Sequence, residues 1–316
     1  MAQVNNRKVG IIGCGFVGAA TAFTLMQSGM FKEMVLIDAD KERAEGEALD
    51  IGHGIPFSRP MQIYAGDYDD IADAGIIIIT AGAAQKPGET RLQLVQKNVG
   101  IFKSIIPEIK KRNFEGILLI VSNPVDILTK VAQKLSGFPA NRVIGSGTVL
   151  DTARLKYNLS KHLNVDARMV HAFIIGEHGD SELAAWSTAM VSGVPVNTFC
   201  EMRGHFQHEE AEARIQEMVK NSAYEIIEKK KATYFGVAMA VRRICEAIVL
   251  DERSILPVSN LMTGHYGVND ICLSVPAIVG GNGVEECVEL HLDEDELKAF
   301  RESASHLKEV YDGIQW

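Results

Sequence analysis

Cysteine is scarce in this sequence and poorly spaced for chemistry. The five cysteines, Cys14, Cys200, Cys245, Cys272 and Cys287, are odd in number, and no two stand at the close spacing of a zinc site or a redox motif. They read as small core residues in a reducing compartment. No window reaches the roughly 18 uninterrupted apolar residues of a membrane span, and Met1–Gly10 lacks the apolar stretch of a signal peptide. The expectation is a cytoplasmic protein with no membrane role. Positive charge is also in short supply: 32 Lys and Arg against 41 Asp and Glu leave a net charge of −9, a field that repels phosphate backbones and anionic lipid. No nucleic-acid partner is expected. Internal repeats, low-complexity tracts and long linkers are missing as well.

What is present is a chain of 316 residues, 47% apolar and 23% charged, which are the proportions of a soluble globular protein. At about 100–200 residues per domain the length predicts two domains. Short apolar runs rich in β-branched residues, at Lys8–Ile12, Met34–Asp38, Met61–Ala65, Gly75–Thr80, Ile117–Ser122 and Arg142–Gly145, alternate with helical patterns. Strands of this kind are buried on both faces of a parallel sheet. Between the fourth and fifth runs Val95, Val99, Phe102, Ile106 and Ile109 mark one helical face, with a kink expected at Pro107. The fold class expected is α/β: a doubly wound parallel-sheet Rossmann domain over residues 1–146, then a second α+β domain over 147–316. In the second half a helix is expected near Val149–His162 and strands around Val170–Ile175. A long helical stretch from about His208 to Val249, strand-like runs at Ser254–Leu261 and Ile271–Val279, and a last helix after the acidic start Asp293–Glu296 complete it.

Gly13, Gly15 and Gly18 form G-x-G-x-x-G directly after the first strand, where glycines let the backbone turn tightly and approach a pyrophosphate at a helix N-terminus. Asp38 lies about 20 residues past Gly18 at the end of the second strand, the place from which a carboxylate accepts hydrogen bonds from ribose hydroxyls. Together they favour a dinucleotide site, and Asp38 favours NAD over NADP because a 2′-phosphate would meet a carboxylate. Such a domain does not define a reaction, which has to come from polar residues near the strand ends. His178 stands between glycines in Gly176-Glu177-His178-Gly179-Asp180 after an apolar strand, and an imidazole there can move a hydroxyl proton if a carboxylate orients it. Glu177, Asp180 and Asp151 are all open as that partner. Asp151 and Arg154 share a helix face at i, i+3: either a surface ion pair, or an arginine fork for a substrate carboxylate. The Gly- and Pro-rich loop from Gly82 to Arg91 can close over a cleft and bring in Arg91, and Asn123-Pro124 ends the fifth strand.

These segments, Val9–Gly18, Ile37–Asp38, Thr80–Arg91, Val121–Asp126, Leu150–Arg154 and Ile175–Asp180, resemble the L-lactate dehydrogenases, and the resemblance covers nearly the whole chain. It implies that His178 is the acid/base, Asp151 its orienting carboxylate, Arg154 the clamp on the substrate carboxylate and Arg91 the lid residue that polarises the ketone. Asn123 and Thr233 would line the reaction site, Gly82, Asn98 and Asn123 would contact NAD, and the substrate pair would be pyruvate and L-lactate. The related malate dehydrogenases are similar except for an arginine where this chain has Gln85. Burying a second carboxylate beside Gln85 without a cation would cost several kcal/mol, which disfavours oxaloacetate. Another short L-2-hydroxy acid remains an alternative.

A non-catalytic NAD sensor would have no need of His178, Asp151, Arg154 and Arg91 together. A glycosidase of the NAD-dependent kind would call for a metal site, and the one H-x-x-H, His205 to His208, reads as the solvated start of a charged helix, so no metal is expected. The resemblance further implies a homotetramer in fermentative glycolysis, with a possible fructose bisphosphate effector at Lys156 and His171. Lysine at the first of these positions keeps the charge but loses bidentate phosphate geometry, so the expected site is weak.

Overall fold

The computed structural model describes residues 4–83, 88 and 90–316. In chain order the first half runs β1 (Asn5–Ile12), α1 (Phe16–Ser28), β2 (Glu33–Ile37), α2 (Lys41–Gly52), β3 (Gln62–Ala65), β4 (Ala74–Ile79), α3 (Arg91–Lys111), β5 (Ile117–Ile120), α4 (Val125–Ser136) and β6 (Val143–Gly145). The six strands pair in parallel in the order β6-β5-β4-β1-β2-β3. Every residue of β4 is buried, as a strand with helices on both faces requires. The valines, isoleucines and Phe102 of α3, with α4, cover one face, while α1 and α2 cover the other. α3 runs on through Pro107 to Lys111 as one element.

After α5 (Val149–Leu163) come five two-residue strands, β7 (Val170–His171), β8 (Ile174–Ile175), β9 (Leu183–Ala184), β10 (Met190–Val191) and β11 (Val194–Pro195), then α6 (Val196–Met202). The helical stretch expected over 208–249 is two helices, α7 (His208–Lys230) and α8 (Phe235–Val249). Lys231 breaks it in the left-handed conformation at φ 71°, its N–H returning 2.8 Å to the Ile227 carbonyl, and the Tyr234 ring beyond the break stacks on Phe16.

The strands β12 (Ser254–Thr263), β13 (Asn269–Gly280) and β14 (Gly283–Cys287) depart furthest from expectation. Instead of staying in a second lobe they extend the main sheet, antiparallel, from Ser259 opposite Gly145, so nine strands among the described residues run β14-β13-β12-β6-β5-β4-β1-β2-β3. The pairing covers what would otherwise be an open edge at β6. Accordingly α8 packs with α1 and α2 on one face and α9 (Glu294–Asp312) with α3 and α4 on the other. A separate apolar cluster joins α5, β7, β10, α6 and α7. No helix among the described residues is long and apolar enough to cross a membrane.

Candidate active site and dinucleotide cradle

The sheet order reverses between β1 and β4, where α/β sheets bind ligands; one cavity lies at the carboxyl ends of β1, β2 and β4, and a second beside Asn123 and Pro124 after β5. The first, about 490 Å³, is lined by Gly13, Gly15, Asp38, Thr80 and Gly82, together with Arg43. Gly15 caps α1 without a side-chain hydrogen bond, so the first-turn N–H groups are free for an anion. A Cβ at Gly15 would meet nothing within 4 Å, whereas one at Gly13, whose φ is 102°, would sit 2.5 Å from the Ala81 nitrogen. Gly18 is not on the cavity wall: a Cβ there would come within 1.9 Å of the Gly13 carbonyl oxygen, so its role is close packing of the helix on the turn. Asp38 is held by the Cys14 N–H at 2.6 Å and the Asp40 N–H at 3.0 Å. This backbone-lined cradle with a fixed carboxylate fits a dinucleotide. The Cys14 thiol, pushed up to about 12 by burial and by Asp38, is no redox group.

Asn98 also departs from its expected place. It is fully buried on α3, its Oδ1 accepting the Ala83 N–H at 2.8 Å and its Nδ2 donating to the Asn123 carbonyl at 2.8 Å. It braces the two loops that follow β4 and β5 and does not line the cradle.

The second cavity, about 450 Å³, brings together Arg91, Asn123, Asp151, Arg154, His178 and Glu182, with α7 supplying Lys220 and Tyr224. Each comes from a different local cause. Arg91 opens α3 directly after the capping box in which Thr90 Oγ1 accepts the Gln93 N–H and Gln93 Oε1 accepts the Thr90 N–H. Asp151, in the first turn of α5, is buried; its Oδ2 lies 2.5 Å from His178 Nδ1 and its Oδ1 accepts from Arg154 Nη1 at 2.8 Å. Of the three carboxylates open as partners of His178, the structure selects Asp151. Glu177 instead pairs with Arg91, and Asp180 accepts from the Tyr224 hydroxyl at 2.9 Å. The Asp151–Arg154 contact is accordingly a buried pair and not a surface one.

Burial would push Asp151 up, but the charges and hydrogen bonds of His178 and Arg154 hold it below the usual carboxylate range. Burial likewise opposes the charged imidazole, yet Asp151, and then Asp126, raise His178 to about 9. The arrangement can therefore hold a proton on His178 at neutral pH and release it into the cavity. Asp126 and Glu182 were not among the expected residues. Asp126, buried in the first turn of α4, accepts the His178 backbone N–H at 2.8 Å and fixes the imidazole's origin. The only sequence signal for it is its place just after Asn123-Pro124.

Thr233, between α7 and α8, is not among the side chains lining this cavity, and Gln85 lies outside the described residues. Lys156 is half-buried on α5, its ammonium lowered by burial, and His171 is exposed on β7. The H-x-x-H segment starts α7 at His208, and His205 stacks on His162 with ring centroids 4.5 Å apart.

The fold and its two cavities define a class of protein with a Rossmann nucleotide cradle and a carboxylate–imidazole–arginine cluster supplied mainly by the following lobe. Residues 7–145 match the lactate/malate dehydrogenase NAD binding domain, and residues 148–315 the lactate/malate dehydrogenase alpha/beta C-terminal domain. The chain belongs to the lactate/malate dehydrogenase family, and its coenzyme is NAD. It is 57% identical over 304 residues, 96% of each chain, to an L-lactate dehydrogenase of Acetivibrio thermocellus. It is 53% identical over 309 residues, 98% of this chain and 99% of the relative, to L-lactate dehydrogenase 1 of Clostridium acetobutylicum. Among solved structures, the ligand-bound minor L-lactate dehydrogenase of Enterococcus mundtii matches with a TM-score of 0.95 at 45% identity, covering 98% of both chains.

Proposed function

We propose that this protein is an NAD-dependent L-lactate dehydrogenase interconverting pyruvate and L-lactate in the cytoplasm, in the service of fermentative glycolysis. The observation that carries the reading is the Asp151–His178 contact with Arg154 on the same carboxylate, inside one cavity. Bound NAD supplies the hydride acceptor, and NADH the donor. Gly13, Gly15, Asp38, Gly82 and Asn123 hold it, with Gly18 and Asn98 supporting the loops around it. Arg154 uses one nitrogen on Asp151 and offers the rest of its fork to the substrate carboxylate. His178 gives its proton to the ketone oxygen in reduction and takes it back in oxidation, while Asp151 fixes the tautomer and balances the imidazolium. Arg91 leaves Glu177 to polarise the carbonyl when the loop closes, and Thr233 approaches the site at that stage. Residues 1–146 act as the NAD domain and 147–316 as the substrate domain.

Gln85 is the residue assigned to discrimination between pyruvate and oxaloacetate. Steady-state rates with NADH should favour pyruvate over oxaloacetate and branched 2-keto acids, and Gln85→Arg should move the kcat/KM ratio toward oxaloacetate by an order of magnitude or more, because a cation then awaits the second carboxylate. Wild-type preference for oxaloacetate would replace the reading with a malate dehydrogenase. An unchanged ratio in the variant would remove Gln85 from the substrate.

The tetramer and its effector are part of the same proposal. α5 and β7 pack together, and they carry Lys156 and His171, two nitrogen donors suited to a doubly phosphorylated sugar. A half-buried lysine in place of arginine makes the site weak. Sedimentation should give a tetramer, and millimolar fructose bisphosphate should lower the KM for pyruvate. Superimposable saturation curves would show that this enzyme lacks the switch.

A further inference from the structure

A second carboxyl group faces the anion-binding cavity and has no part in the mechanism above. Glu182 is 4% exposed, and its Oε1 is buried without a hydrogen-bond partner among the described residues. One ligand-type atom each of Asp151, His178 and Glu182 lies within 4.8 Å of the others. Three acidic or basic groups this close cannot each carry an independent charge. Asp151 is already matched by His178 and Arg154, so no cation is left over for Glu182 on α5 or at His178. From α7 the Lys220 ammonium faces it across the cavity, where Asp180, Tyr224 and Arg91 also lie.

We propose, resting on the reading of the cavity as a carboxylate-substrate site, that Glu182 is a positioning residue that sets the alkaline limit of substrate binding. As a neutral acid it leaves Arg154 to the substrate carboxylate; as a carboxylate it adds a negative charge that repels the substrate and competes for Arg154. Burial, and then the charge of Asp151, raise Glu182 to about 8, against the lowering influence of His178, Arg154 and Lys220. The neutral form is thus the one present at physiological pH.

Lactate oxidation compared between wild type and Glu182→Gln isolates the effect. In that direction His178 must be neutral to accept the proton, so its own loss of charge at alkaline pH favours reaction and cannot weaken it. Asp151 is held ionised by His178 and Arg154, and the Tyr224 phenol is raised by its bond to Asp180, so neither changes charge between pH 7 and 9. If only the neutral form of Glu182 admits lactate, the KM for L-lactate of wild type relative to that of Glu182→Gln rises about tenfold from pH 7 to pH 9, in proportion to the shrinking competent fraction, while the loss of the His178 proton acts on both proteins. Glu182→Gln, which fixes the neutral state, keeps the part of the profile that His178 sets and loses the part that Glu182 adds.

A ratio that stays flat across this range overturns the proposal. Infrared difference spectra of wild type minus Glu182→Gln, taken without substrate, should show the carbonyl stretch of a protonated carboxylic acid at pH 7 that is gone at pH 9. Its absence at pH 7 would likewise overturn the assignment. Because that spectrum needs no turnover, an enzyme inactive on both pyruvate and lactate would refute the proposed function while Glu182 is still tested.

Discussion

Replacing His178 with asparagine should lower pyruvate turnover by at least about 10²-fold, some 3 kcal/mol of transition-state stabilisation, with NADH affinity nearly unchanged. The imidazole reaches the substrate cavity, whereas the cradle that holds NADH is built from the β1, β2 and β4 ends. Asparagine keeps the backbone N–H bonded to Asp126 and can donate to Asp151, so the local fold should survive. The wild-type pH profile carries the same information. His178, raised to about 9, is protonated below that pH, so pyruvate reduction should hold through neutrality and fall as pH rises through the raised value. Fluorescence titration with NADH beside stopped-flow turnover checks both parts. An equal loss of coenzyme affinity would mark His178 as structural.

Arg154→Lys should raise the KM for pyruvate by about 10–100-fold, an effect of about 1–3 kcal/mol, while the Kd for NADH stays within a few-fold. Arg154 is 13% exposed in its side chain and one nitrogen is committed to Asp151 at 2.8 Å. A guanidinium can bond Asp151 and still present a two-pronged face to the substrate. An ammonium in its place would be drawn to Asp151 and offer the substrate a single point charge. A near-wild-type KM would move the carboxylate clamp to another side chain of the cavity, with Lys220 the first to test.

The parallel half of the sheet could be read from sequence because strands buried on both faces are continuous apolar runs, and Ile76–Ile79 admit little else. The partner of β12 could not. An alternating or apolar strand states which face is buried but not which edge it joins, so the pairing of Ser259 with Gly145 was invisible. In the site, the motif-bound residues Gly13, Gly15, Asp38 and His178 were legible, since each sits at a fixed offset from a strand end. Glu182 and Asp126 were not. Their significance comes from burial beside groups on other elements, and neither carries a spacing that distinguishes it from the other acidic residues of the chain. Asn98 shows the converse case: its place in the family pattern pointed to the coenzyme, while its amide is spent on the Ala83 and Asn123 backbones.

The most direct test of the central claim is the identity of the product. Purified protein given pyruvate and NADH should form L-lactate alone, one molecule for each NADH consumed, as read by chiral chromatography beside the absorbance loss of NADH. NADH oxidation without lactate, formation of the D enantiomer, or no turnover of pyruvate under conditions where oxaloacetate is reduced would contradict it.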